Sequence, residues 1–284
     1  MPTELTVLES LGRAGVEQEQ ARILRRMKED LKFYPNWFLD QADFEGLGVI
    51  IGPGLDVDET IGDFSSTRFF RPWVPDEVVK EAADVAESTW MDKLAAWASQ
   101  SPVDPRFIRE GTGLDLPFHD FEFTYPYIEK MYISECAYFP VDSSIPHVAC
   151  LVLDSIEATI TGDRVLRSDL DFAIAMVLWR LTQGRHTNHH TKPALIYTLE
   201  RDQHARITQA HFDGKRNKLV LRQSRHLDLS GPEPTPDAFL LLRWIACRPA
   251  GETEYADEED ASEDEGGRGE RSPGVGPELL SGCA

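Results

Sequence analysis

The chain has 284 residues, 41% of them apolar and 27% charged, with a formal net charge of -20. That length allows one large domain or two small ones, and the apolar share suits a soluble globular protein. The acidic balance disfavours general binding to nucleic acid or anionic membranes, and apolar runs such as 239–242 fall far short of the roughly 20 residues that span a bilayer.

The amino terminus, Met1-Pro2-Thr3-Glu4-Leu5, has neither a basic stretch nor an apolar core, so no secretory signal is read there. Residues 16–31 place apolar side chains at Val16, Ile23, Leu24, Met27 and Leu31 among Arg, Lys and Glu. That spacing predicts an amphipathic helix, ended by Tyr34-Pro35. Residues 46–62 are rich in Gly and Asp and read as a loop with a short strand at 49–51. Pro75-Asp76-Glu77 opens a second expected helix, with Val78, Ala82, Val85, Trp90, Leu94 and Trp97 as its buried stripe. Alternation of Phe121, Phe123, Tyr125 and Tyr127 with polar residues predicts a half-buried strand, kept to an edge by Pro126.

Residues 147–160 are more uniformly apolar, which fits a strand covered on both faces. Ser168 is expected to cap a helix that has Asp169 and Asp171 in its first turn and Ile174, Val177, Leu178 and Leu181 on its core face. Strands are then expected at 193–199, 204–212 and 218–224. The last two are joined at Asp213-Gly214, where glycine would supply a positive φ. Thr235-Pro236-Asp237 opens a final helix over 237–247. Between Gly251 and Ser272 lie ten acidic residues against Arg268 and Arg271. This composition cannot build a core, so residues 251–284 read as a disordered acidic and Gly-rich tail behind a domain at 1–250. The fold class expected is α+β: one domain, with a mixed or antiparallel sheet flanked by helices.

Chemistry-bearing motifs are incomplete. Gly46-x-Gly48-x-x-x-Gly52 has the wrong spacing for a dinucleotide loop. Asp56-Val57-Asp58-Glu59-Thr60 matches the DxDxT string of haloacid-dehalogenase-type phosphatases, but Gly52-Pro53-Gly54 interrupts the strand that should precede it. Read as a calcium loop, it lacks the turn glycine and the final bidentate Glu, so an acidic loop is favoured. His186, His189 and His190 form the one histidine cluster and could ligate zinc, yet no Glu completes HExxH and no fourth ligand is identifiable. A mobile surface loop is the reading preferred there. Asp142, Asp154 and Glu157 flank an expected central strand, as carboxylates do in restriction-endonuclease-like folds. Thr159 stands where the Lys of an E-x-K triplet belongs. The basic residues Arg201, Arg206, Lys215, Arg216, Lys218, Arg222 and Arg225 read as solvated strand and turn positions. The four cysteines, Cys136, Cys150, Cys247 and Cys283, show no metal or disulfide spacing, so reduced thiols in the cytoplasm or nucleus are expected, with Cys150 and Cys247 in the core.

The hairpin from Ala205 to Gly214, the run Leu219-Val220-Leu221-Arg222, and Leu242-Arg243-Trp244 together resemble a group of uncharacterised filamentous-fungal proteins. The order helix, strand, hairpin, helix is also similar to the late part of degenerate fungal PD-(D/E)XK-like domains. The resemblance transfers no catalytic residue. The function expected is a non-enzymatic intracellular interaction or accessory protein, such as a fungal regulatory or biosynthetic accessory factor, with a protein partner and no cofactor. The rival is a degenerate metal-dependent hydrolase or nuclease-like enzyme using Asp142, Asp154, Glu157 and the histidines.

Overall fold

The computed structural model describes residues 4–34, 36–58, 68–72, 118–121, 132–140, 144–154, 156, 164–201, 203–231, 234–245 and 247–255. The chain divides into a compact unit, Met1–Glu254, and a segment, Tyr255–Ala284, of which all but Tyr255 lies outside the described residues. The compact unit is α+β, built on a mixed eight-stranded sheet.

Its first helix, α1 (Glu4–Leu31), begins well before the expected start. The buried positions are Glu17, Gln20, Ala21, Leu24, Met27 and Leu31, whose spacings of three and four residues lie on one helical face. Val16 was expected on that face but is 48% exposed. Glu17 turns inward because the buried Lys192 ammonium meets its carboxylate. A short strand β1 (Phe38–Leu39) leads to α2 (Gln41–Leu47), in a stretch for which the sequence reading assigned no element before the loop at 46–62. Asp40 caps α2 reciprocally with Asp43, and Gly48, at φ +75, ends it in the left-handed region. The strand β2 (Val49–Ile51) follows where it was expected.

Next come β3 (Phe70–Arg71), β4 (Phe118–Phe121), β5 (Tyr132–Pro140), β6 (Val148–Asp154) and β7 (Val165–Leu166). The expected helix after Pro75 and the stretch 122–127 lie outside the described residues. The helix α3 (Arg167–Thr182) has Leu166 at its N-cap with no side-chain hydrogen bond. Ser168 does not cap it: its hydroxyl donates instead to Asp154 Oδ2 at 2.5 Å. The chain closes with β8 (Ala194–Glu200), β9 (His204–Asp213), β10 (Lys218–Gln223), β11 (Leu227–Asp228), α4 (Pro236–Ile245) and β12 (Arg248–Pro249). Thr235 Oγ1 accepts from the Ala238 amide, so the Thr-Pro-Asp start reads correctly.

The strand order in the large sheet is β2-β10-β9-β8-β6-β5-β4, with β11 also paired to β9. Strands β6 and β8 are parallel, as are β2 and β10; the other pairings in this sheet are antiparallel. Even-numbered side chains of β6 and β8 (Val148, Cys150, Val152, Ala194, Ile196) face α1 and α3. Odd-numbered ones (Ala149, Leu151, Leu195, Tyr197, Leu199) pack with Trp244 and Leu241 of α4. Both faces of the central strands are therefore covered, as their near-continuous apolar sequence implies. Cys150 and Cys247 are buried, as expected, and neither forms a disulfide.

The β9–β10 hairpin forms with Asp213 opposite Lys218. Its left-handed residue is Asn217, at φ 54, and not Gly214. Asp213 Oδ1 accepts from the Lys215 and Arg216 amides, and this side-chain cap removes the need for glycine's special conformation at 214.

Candidate functional site

Period-two alternation puts Asp154 of β6, Thr198 and Glu200 of β8, Arg206 and Thr208 of β9, and Gln223 of β10 on the α3 face. Register makes Asp154 the partner of Glu200, and Thr198 the partner of Arg206. The first turn of α3 adds Ser168 and Asp169. The result is a buried polar cluster at the carboxyl ends of the parallel pair β6/β8, where ligands commonly bind in α/β sheets.

Two of its three carboxylates are fully engaged. Asp154 accepts from Ser168 Oγ at 2.5 Å and from the Ile156 amide at 2.9 Å. Burial, with Asp169 and Glu200 close by, raises its carboxyl to about 6, against the opposing pull of those hydrogen bonds. Asp169 accepts from Thr198 Oγ1 at 2.5 Å and from Gln223 Nε2 at 2.8 Å. Burial raises its carboxyl too, while Arg206 at 3.9 Å opposes the rise.

Glu200 differs. Both of its oxygens are buried with no hydrogen-bond partner among the described residues. They face His226 Nε2 at 3.3 Å and Arg206 Nη2 at 3.8 Å. Arg206 Nη2 also contacts His226 Nε2. A guanidinium has only donors, so in this contact His226 Nε2 is the acceptor. The other guanidinium nitrogen, Arg206 Nη1, donates to the Arg164 carbonyl at 2.6 Å. His204, whose ring stands edge-on to His226 at 6.4 Å, and His226 itself form the part-exposed rim.

The sequence-derived candidates do not form one site. Asp142 and Glu157 lie outside the described residues. Asp154 belongs to the cluster above. The histidines sit by the opposite ends of β6 and β8, roughly 20 Å away along a seven-residue strand. His186 Nδ1 donates to the Ser144 carbonyl, His189 Nδ1 meets Thr253 Oγ1 at 2.8 Å, and His190 Nδ1 meets Thr191 Oγ1. His189 is buried and bridges backbone to Glu254, so this segment is a docked connection and not a bare surface loop. Among the described residues, no group of three or more His, Cys, Asp or Glu side chains is placed to hold a metal ion.

Of the seven basic residues, Arg201, Lys215, Arg216 and Arg225 are exposed as expected and two are not. Arg206 and Arg222 are buried, the latter donating to the carbonyls of Pro53 and Gly54. Arg225 joins Asp58 of the DxDxT string to Asp237 at 2.7–2.8 Å, which assigns that loop a structural contact. Asp169, Glu200, Arg206 and His226 were missed as a group. The signal available was Glu200, a charged residue at the last inward position of an apolar strand.

No family model, no curated protein and no solved structure matches the chain. Among the described residues, no helix is long and apolar enough to cross a membrane.

Proposed function

We propose that the chain is a non-enzymatic interaction or accessory protein whose partner is another protein. The observation that carries this reading is a pair of exposed aromatic side chains on a pinned backbone. Phe33 is 83% exposed and Trp37 is 37% exposed, in the link between α1 and β1. The Trp37 carbonyl accepts the Arg167 amide at 2.9 Å, and the Tyr34 carbonyl accepts Arg167 Nη1 at 2.9 Å. The first turn of α3 thus holds this link on both sides. Large aromatic rings offered by ordered backbone lose little entropy on binding and are frequent anchors of protein interfaces.

The buried cluster fits this reading as a structural device, since Asp154 and Asp169 take their hydrogen bonds from α3 and the sheet. The likeness of residues 193–244 to filamentous-fungal proteins adds a fungal regulatory or biosynthetic setting, in the cytoplasm or nucleus. The acidic surface supports a protein partner over a nucleic acid.

The test is affinity capture with the wild-type chain beside a Phe33→Ser/Trp37→Ser variant of equal unfolding midpoint. A partner retained by the wild type and lost by the variant supports the proposal. A partner retained equally by both places the interface elsewhere and removes its basis.

A further inference from the structure

The segment from β12 to Glu254 crosses the compact unit as a strap, fastened at successive points. Arg248 and Pro249 pair with Arg71 and Phe70 of β3. The Ala250 amide donates to the Phe69 carbonyl at 2.8 Å, and His147 Nε2 donates to the Ala250 carbonyl at 3.1 Å. Gly251 takes φ +77 where a Cβ would stand 2.7 Å from the Arg68 carbonyl oxygen, so the strap lies flush against its bed. Thr253 is buried. Its carbonyl accepts the His190 amide at 2.7 Å, its hydroxyl meets His189 Nδ1 at 2.8 Å, and Glu254 faces His189 Nε2 at 3.5 Å. Two buried imidazoles therefore latch the strap, one at each end of its last five residues.

We infer that residues 248–254 form an acid-released strap, latched by His147 and His189, that opens when these rings take up protons while the sheet stays folded. At the His147 end the latch works only with a neutral ring. His147 is enclosed by the Phe70 ring edge from β3, the Arg180 guanidinium of α3 donating to its own carbonyl, and the strap carbonyl. Its Nδ1 is buried with no hydrogen-bond partner among the described residues. Burial lowers its pKa to about 4, with His189 and Arg180 adding to the depression and the Ala250 and Phe69 backbone opposing it. Burial also lowers that of His189. Lys192 and His190 act in the same direction, and Glu254 and the Ser144 backbone oppose it. The remaining charges facing this end are His186, lowered to about 4 chiefly by burial, and Glu17 of α1, which is paired with Lys192.

The sign follows directly. A histidine whose docked pKa is depressed favours the docked strap above its free value of about 6.5, and that preference is lost as pH falls towards the docked value. For one latch histidine the open fraction rises about tenfold per pH unit below 6.5, and more steeply when both titrate.

The experiment is amide hydrogen exchange on the full chain between pH 7.5 and 5, corrected for intrinsic rate. The expected result is loss of protection at the amides of Ala250, His190 and Thr191 by at least tenfold per unit below pH 6.5, with β8 and β9 amides retained. A His147→Gln/His189→Gln variant should lose that pH dependence. Thr253→Val, which removes a hydroxyl and no titratable group, should raise strap exchange at every pH and keep the slope. Strap and sheet opening together, or a wild-type slope near zero, would overturn the inference. So would an unchanged slope in the double variant. Should that variant fail to fold, the wild-type and Thr253→Val profiles still decide.

Discussion

At the residue scale, Asp154 is the clearest case of a group whose environment opposes its charge. Its carboxyl is raised from 3.8 to about 6, mainly by burial. The folded state therefore holds the proton more tightly than the unfolded chain does. The stability this gives is fully present below the unfolded value and is lost as pH rises through 6, on the order of 2–3 kcal/mol in all. Asp154→Asn should then match the wild type near pH 3.5, below the unfolded value, and exceed its unfolding free energy by on the order of 2–3 kcal/mol at pH 8. An amide can still serve Ser168 Oγ and the Ile156 amide. Urea unfolding at the two pH values checks this, and equal differences at both would refute it. These histidines pull the opposite way: desolvation lowers buried His147 and His211 and part-exposed His186 to about 4, so their contribution is lost as pH falls from 6.5 towards that value.

At the element scale, the hairpin separates what local sequence dictates from what tertiary contact decides. Asn217 carries the left-handed conformation, so Asn217→Val should cost about 1 kcal/mol or more, and Asn217→Gly should be nearly neutral. Gly214→Ala should cost less than Asn217→Val. Its new Cβ would meet only the end of the Gln20 side chain at 2.7 Å, which can swing aside. Unfolding midpoints give the ranking, and a larger loss at 214 would contradict it. Most strands of this half were legible because apolar runs bounded by turn residues read locally: β8, β9 and β10 begin and end within about one residue of expectation. The caps were less legible. Ser168 looks like an N-cap in sequence, but a buried carboxylate 14 residues away takes its hydroxyl. The α2 helix was readable in principle from Asp40, Asp43 and Gly48, yet its seven residues were too short for a periodic signal. Arg206 and Glu200 were hidden for another reason: charge alone suggests solvent, and only strand register shows that they face each other indoors.

At the scale of the whole molecule, the end of the compact unit falls at Glu254, and composition alone placed it a few residues earlier. Composition sees the acids begin at Glu252; it cannot see that Thr253 is buried against the histidine segment. Ending the chain after Tyr255 should leave the melting temperature nearly unchanged, because the sequence beyond is acidic and Gly-rich. Ending it after Ala250 should lower the melting temperature by about 5 °C, since several strap hydrogen bonds of about 1 kcal/mol each are removed. Equal melting temperatures for the two truncations would show that the strap adds nothing. The proposed reading gives Asp154 and the histidines a structural role in place of a hydrolytic one. Its most direct test is turnover of an activated phosphodiester and of DNA by the purified chain with Mg²⁺, Mn²⁺ or Zn²⁺. The account predicts background rates for the wild type, for Asp154→Asn and for His186→Ala/His189→Ala/His190→Ala alike. Metal-dependent turnover that disappears in Asp154→Asn or Glu157→Ala would contradict it.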